Sequence, residues 1–321
     1  MKYLKLDKNY DLYITMTWSG DTNHGISGHL YEIIEYFVLL KDHMKIGILI
    51  CEDMSWDIIE KALHTKYDLD KSVIDDIKKN TFFEYRPKYV IGKNILFVDG
   101  GFTRTMLRYG VALSFKNIFS FRCSNKDYHY NLPYKNITLL QDNRVYNDED
   151  TKISVNYKKK IKFDIFKKSE SIKTETALLY ITSNCRKICD DYLLDVIMQY
   201  KYKNYIILTN ENEKYKKLFS LLKNVTFPKL PVDDIFKKFD AYIYTPTHLE
   251  GNIKINSFDC SPRFIAECKF YNKQIIYHDV DDNYINIDTG LKYRKYDIEY
   301  NFKSIFLNKN DDIIKIIKDR I

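Results

Sequence analysis

Residues 176–210, TALLYITSNCRKICDDYLLDVIMQYKYKNYIILTN, decide the fold. TALLYITS (176–183) and NYIILTN (204–210) are short, near-continuous apolar runs, and CDDYLLDVIMQYK (189–201) between them carries apolar residues at helical spacing. A strand that is apolar on both faces is covered on both faces, so strand, helix, strand reads as one parallel crossover. The alternation continues through a helix at EKYKKLFSLLKN (213–224), a short strand at NVTF (224–227) and a helix at PVDDIFKKF (231–239) entered through Pro231. It then runs through a strand at DAYIYTPT (240–247), a helix opening at Ser261-Pro262 and a strand at QIIYH (274–278).

The first half has the same design. Apolar runs recur as DLYITMTW (11–18), KIGILICE (45–52), NILFVDGG (94–101), KNIFSFRC (116–123) and NITLLQDN (136–143), with the helical HLYEIIEYFVLLKDH (29–43) between the first two. Residues 147–176 break the pattern: they are charged, rich in Lys and without a long apolar run, and read as a connection with a short strand in it. The KKK at 158–160 reads as a solvated linker face rather than a nucleic-acid contact. DDIIKIIKDRI (311–321) has helical periodicity and opens with acids, as a helix should. The expected fold is α/β, with two Rossmann-like, doubly wound parallel-sheet lobes facing a cleft. The expected boundaries are 1–150 for an acceptor-binding lobe, 151–175 for a linker, and 176–321 for a nucleotide-binding lobe that ends in the C-terminal helix.

Composition sets outer limits. A chain of 321 residues is long enough for two ordinary domains. Hydrophobic content is 45% and no apolar run approaches membrane-spanning length, while the start, MKYLKLDKNYDLYI, has no signal-peptide core, so a cytoplasmic protein is expected. The six cysteines, at 51, 123, 185, 189, 260 and 268, form no CxxC pair and have no His at zinc spacing, so they read as reduced packing residues. Abundant Lys, Asn, Ile and Tyr (28 Tyr) suggest an AT-rich, viral genome. A net charge of +7, from 51 basic and 44 acidic residues, permits a polyanionic partner without demanding one. A monomer is expected.

Ligands of parallel sheets bind outside the carboxyl ends of the strands, so the loops there carry the chemistry. After strand 11–18 comes SGDTNHGISGH (19–29), whose glycines let backbone approach a ligand; Gly20 and Asp21 are acceptor-binding candidates, and His24 or Asp21 a candidate base. Asp99 follows strand 94–98 and is either a base or a helix cap, and the loop SNKDYHYN (124–131) offers Asp127 and His129. In the second lobe, SNCRKICDD (183–191) provides Ser183 as a cap and places Arg186 and Lys187 in the opening turn of a helix. Basic side chains oppose the macrodipole there unless an anion is bound, so Arg186 is a phosphate candidate. At the later helix Ser261 is a suitable N-cap and Pro262 fits the first helical position; Arg263 and Glu267, four apart, share one face. That cation and that carboxylate suit a phosphate and a sugar hydroxyl, and the plainer reading is a surface ion pair. Asp279-Val280-Asp281-Asp282 and Asp148-Glu149-Asp150 have spacing seen in metal sites and, far more often, in solvated turns; neither a metal nor another cofactor is assigned.

The segment SPRFIAECKFYNKQIIYH (261–278) resembles the signature of GT-B glycosyltransferases, a Glu near the start of a helix that follows a loop and precedes a strand. It departs from that signature where the glycine after the helix is replaced by Asn272 or Lys273. The layout is also similar to that of the phage glucosyltransferases acting on hydroxymethylated pyrimidines in DNA, with an Arg-to-Glu spacing one residue longer. The resemblance implies UDP held by Arg186, Arg263 and Glu267, with Glu267 on the ribose. It places Leu230 of PKLP (228–231) at the uracil and Asp127 as base, with His24 and Asp99 the other candidates. It implies a metal-independent transfer of a sugar from a nucleotide sugar to a hydroxyl, with double-stranded DNA as the expected acceptor. A surface glycan is the alternative acceptor, and non-catalytic nucleic-acid binding the reading from another class.

Overall fold

The computed structural model describes residues 3–16, 28–85, 87–98, 110–122, 136–143, 153–169, 173–181, 190–209, 212–228, 232, 234–245, 247–250, 253–256, 263–278, 284–285, 292–293 and 302–321. The chain divides into two compact units, 1–166 with 303–321, and 167–302.

The first unit is built on short strands buried from both sides. Its elements run β1 (Tyr3–Lys5), β2 (Leu12–Thr15), α1 (Gly28–Leu40), β3 (Ile46–Ile50), α2 (Trp56–Lys66), α3 (Lys71–Lys79), β4 (Thr81–Phe83), β5 (Tyr89–Phe97), β6 (Ala112–Phe121), β7 (Ile137–Gln141) and β8 (Ser154–Asn156). Every residue of β2 and β3 is buried, as continuous apolar runs require. The strands form one sheet in the order β4-β3-β2-β5-β6-β7-β8, and all its described pairings are parallel. β1 lies beside the first part of β5, pairing Tyr3–Lys5 with Tyr89–Ile91, and β2 beside its last part. From β2 to β7 this is the doubly wound order, with its switch point between β2 and β5. Gly47 of β3 is required by close approach, since a Cβ there would meet the Tyr13 ring at 2.6 Å.

The second unit repeats the plan with β9 (Thr176–Ile181), α4 (Asp190–Gln199), β10 (Asn204–Thr209), α5 (Asn212–Leu218), β11 (Val225–Thr226), β12 (Ala241–Tyr244), β13 (Thr247–Glu250), β14 (Ile253–Asn256), α6 (Arg263–Phe270), β15 (Gln274–Tyr277), β16 (Tyr284–Ile285) and β17 (Lys292–Tyr293). Its parallel sheet has the order β11-β10-β9-β12-β15, so the switch point lies between β9 and β12. Ala177, Leu179, Ile181, Tyr205, Ile207 and Ile243 meet Leu193, Val196 and Ile197 of α4 on one face. PVDDIFKKF, expected as a helix, makes one 3-10 turn over Ile235–Lys237, because Asp234 at φ 51° is left-handed and blocks an earlier helical start. The antiparallel pairs β13–β14 and β16–β17 were not expected from the sequence.

Two expected boundaries shift. Residues 151–166 belong to the first unit, where β8 pairs with β7, and the C-terminal helix α7 (Asp312–Lys318) joins that unit rather than the second lobe. Asp311 explains both. Its carboxylate accepts hydrogen bonds from Tyr157 (2.7 Å) and Lys160 (2.6 Å) while capping α7 through the Ile313 N–H (3.1 Å). Backbone bonds between Ile161 and Ile305 and between Leu307 and Ile161, each 2.8 Å, complete the seam. The KKK stretch is accordingly no open solvated face: Lys159 pairs with Glu32 and Lys160 with Asp311.

Candidate functional site

In the second unit the site is built around α6. This helix ends in a Schellman motif, with Asn272 N–H bonded to Lys269 O (3.1 Å), Lys273 N–H to Cys268 O (2.8 Å), and Asn272 left-handed at φ 54°. The turn feeds directly into β15 at the amino edge of the sheet, where Gln274 N–H meets Asp240 O. The first turn of α6 is therefore directed to the carboxyl edge, where ligands of such sheets bind. Phe264 holds it there, with ring centroids 4.9 Å from Tyr242, 5.4 Å from Phe236 and 5.6 Å from Tyr180.

On that first turn Arg263 Nε donates to Glu267 Oε1 at 2.7 Å, with side chains only 14% and 5% exposed. The spacing thus forms the ion pair expected of i and i+4, but a buried one rather than a surface pair. Desolvated, the pair is a fixed dipole at a helix start. A guanidinium has five N–H donors, so a single Nε contact does not exhaust it. The arrangement suits a ligand that carries both an anionic group and a hydroxyl.

The carboxyl edge of the first sheet carries a second polar group. Arg122, buried just past β6, donates from Nη1 to Gln141 Oε1 at the end of β7 (3.0 Å). On the first turn of α1, His29 Nδ1 lies 3.3 Å from Glu32 Oε2, and the same oxygen receives Lys159 Nζ at 2.6 Å. One turn on, the fully buried Glu35 accepts from the Tyr67 hydroxyl at 2.6 Å. None of these was singled out from sequence. The signal available was the HLYEIIE pattern, which sets two carboxylates on the apolar face of a helix.

Of the sequence-predicted residues, Arg263 and Glu267 are brought together. Asp127, His24, Asp99, Gly20, Asp21, Ser183, Arg186, Lys187, Leu230 and Ser261 lie outside the described residues. Both acidic stretches considered for metal lie outside them too; among the described residues no group of three His, Cys, Asp or Glu side chains could hold a metal ion. Cys51 and Cys268 are buried free thiols, and burial pushes the Cys268 thiol well up. An open cleft of about 760 Å³ lined by Lys173, Glu175, Lys201, Tyr202, Lys203, Asp240, Asn272 and Gln274 opens at the opposite, amino edge of the second sheet. It is on the wrong side of the strands for the switch-point site. Among the described residues no helix is long and apolar enough to cross a membrane.

No protein-family model matches the chain, and no curated protein matches it in sequence. Solved structures match its architecture. HepE of Anabaena, solved in complex with UDP and glucose, aligns over 99% of this chain and 95% of its own, with a TM-score of 0.52 at 8% identity. A glycosyltransferase of Rickettsia africae aligns over 99% of this chain and 88% of its own, with a TM-score of 0.41 at 12% identity. The lipopolysaccharide outer core galactosyltransferase WaaB aligns over 97% and 94%, with 0.42 at 11% identity. The likeness rests on the first of these and is one of fold: the chain has the two-sheet α/β architecture of the GT-B type.

Proposed function

We propose that the protein transfers a sugar from a nucleoside diphosphate sugar, a UDP-sugar first, to a hydroxyl acceptor. The observation that carries this reading is the buried Arg263–Glu267 pair on the opening turn of α6, at the carboxyl edge of the second parallel sheet. In the reaction the acceptor oxygen bonds to the anomeric carbon, the bond from that carbon to the diphosphate breaks, and the nucleoside diphosphate leaves with the electron pair. Cations and helix N-termini stabilise the charge that develops on it. Arg263 and Arg186 are assigned to the diphosphate, with Lys187, Ser183 and Ser261 beside them. Glu267 takes the ribose and Leu230 the base; on the acceptor side stand Gly20 and Asp21. This assignment requires no metal.

Hydroxymethylated DNA is the acceptor favoured by the net charge of +7. The test is a thermal-shift screen of nucleotide sugars, in which a ligand at 100 times its Kd adds about 2.7 kcal/mol of stability. The best donor is then offered to hydroxymethylated DNA, unmodified DNA and oligosaccharides, and released nucleoside diphosphate is followed. Release only with the modified DNA supports that acceptor, and release only with an oligosaccharide moves the acceptor to a glycan. DNA binding with no donor effect replaces the transferase reading with non-catalytic binding. Glu267→Ala is expected to abolish UDP binding; unchanged affinity by calorimetry removes the donor-site assignment.

A further inference from the structure

We infer that His29 is the general base of this transfer and that Glu32 and Lys159 position it. The inference rests on the transferase reading above and assigns a step that reading leaves open. It begins with where α1 lies. α1 ends at Leu40 and the chain enters β3 at Ile46, with Asp11 N–H bonded to Lys45 O at the amino edge of the sheet. A helix of 13 residues rises about 20 Å, enough to span these strands, so its first turn stands at the carboxyl edge. That edge belongs to the strands flanking the β2–β5 switch point.

The first turn holds a built arrangement. Glu32 Oε2 is 3.3 Å from His29 Nδ1 and 2.6 Å from Lys159 Nζ, and the Glu32 and Lys159 side chains are 11% and 16% exposed. Lys159 follows β8 on the same edge and lies over the Phe121 ring at 5.7 Å, which fixes the carboxylate from the other side. An ionised carboxylate only accepts hydrogen bonds, so Nδ1 carries the proton and Nε2 is the basic nitrogen. The imidazole is 42% exposed, within reach of an acceptor, whereas the group orienting it is buried. A base within reach, oriented by a third group, is the geometry that general base catalysis needs. The carboxylate on Nδ1 also stabilises the imidazolium formed when Nε2 takes a proton.

The step balances. His29 Nε2 takes the proton of the acceptor hydroxyl as its oxygen bonds to the anomeric carbon; the nucleoside diphosphate departs from the opposite face, and the proton later passes to solvent. A single displacement inverts the anomeric configuration.

The test separates this assignment from the transferase reading. UDP-glucose, UDP-galactose, UDP-N-acetylglucosamine and GDP-mannose are offered to the wild-type protein with water as acceptor, and then with azide, an anion that has no proton to lose. His29→Ala is expected to lower diphosphate release to water about 10²–10⁴-fold. In azide it should return to within a few-fold of wild type, with UDP affinity unchanged and a glycosyl azide of inverted configuration as product. Glu32→Gln is expected to give a smaller, azide-rescued loss and to change the ¹⁵N shifts of the His29 ring, a readout that a merely structural role would not move. Undiminished release by His29→Ala, a loss that azide does not restore, or a retained configuration overturns the assignment. So does an azide-rescued loss in Asp127→Asn, His24→Ala or Asp99→Asn with His29→Ala unaffected. A wild-type protein that binds none of the four donors overturns the transferase reading, and this assignment with it.

Discussion

Asn272 shows what a single residue decides. It holds the left-handed position that ends α6, where glycine is the usual choice and Asn the next, because its short polar side chain tolerates positive φ. The departure from the GT-B pattern at this point is therefore conservative in conformation. Asn272→Ala is expected to destabilise the protein by about 1 kcal/mol by urea denaturation, and Asn272→Gly to be near neutral. The neighbouring Lys273 is a different case. Its ammonium is buried without a hydrogen-bond partner, 5.5 Å from the centre of the Phe239 ring. Burial lowers its pKa, and nearby Asp240 and Cys268 only partly offset that. A lysine depressed in the folded state binds fewer protons there than in the unfolded chain. Its cost is thus complete below the lowered pKa and is relieved as pH rises from that value toward the ordinary lysine range. Lys273→Met is expected to raise stability at neutral pH by on the order of 1 kcal/mol and to remove the alkaline rise, both read by denaturation across pH. The sequence placed Arg263 and Glu267 on one helix face, but not their burial. Spacing fixes which side chains meet, while exposure depends on partners distant in the chain, here Tyr180, Phe236 and Tyr242 around Phe264.

At the scale of elements, legibility followed apolar content. β2, β3, β9 and β10 are runs buried along almost their whole length and were read with few errors at their ends. α2 and α3 were missed because each buries little: Ile59, Ala62 and Leu63 in the first, Ile74 and Ile77 in the second. β1, β4 and β8 are three-residue strands at margins of the sheet, too short for a period to show. The first-unit site was hidden for a related reason. Glu32 and Glu35 fall on the buried side of α1, where a pattern-based reading expects apolar residues. They are tolerated there because Lys159, His29 and Tyr67 come to meet them. Two of those partners are remote in sequence, so no local window contains the constellation.

For the molecule as a whole, the decisive fact is that the second unit is an insertion. The chain leaves the first unit after Phe166 and returns at Lys303, so 167–302 is contiguous while the first unit is not. The returning segment buries Ile305, Leu307, Ile313, Ile314 and Ile317, and Asp311 holds Tyr157 and Lys160. Burying an aliphatic side chain of this size stabilises by about 1.5–3 kcal/mol, so losing five of them removes more than most domains can spare. Cutting the chain into 1–166 and 167–302 should therefore give unequal products. The fragment 167–302 is expected to melt cooperatively by circular dichroism. The fragment 1–166 is expected to melt at least about 10 °C below a fusion of 1–166 to 303–321, given roughly 2–4 °C per kcal/mol at this size. Asp311→Ala in that fusion should recover part of the deficit, because it uncaps α7 and leaves the Lys160 ammonium without its carboxylate. If 1–166 melts with the fusion, the C-terminal segment is not part of the first unit's core, and the boundary at 302/303 has no energetic meaning.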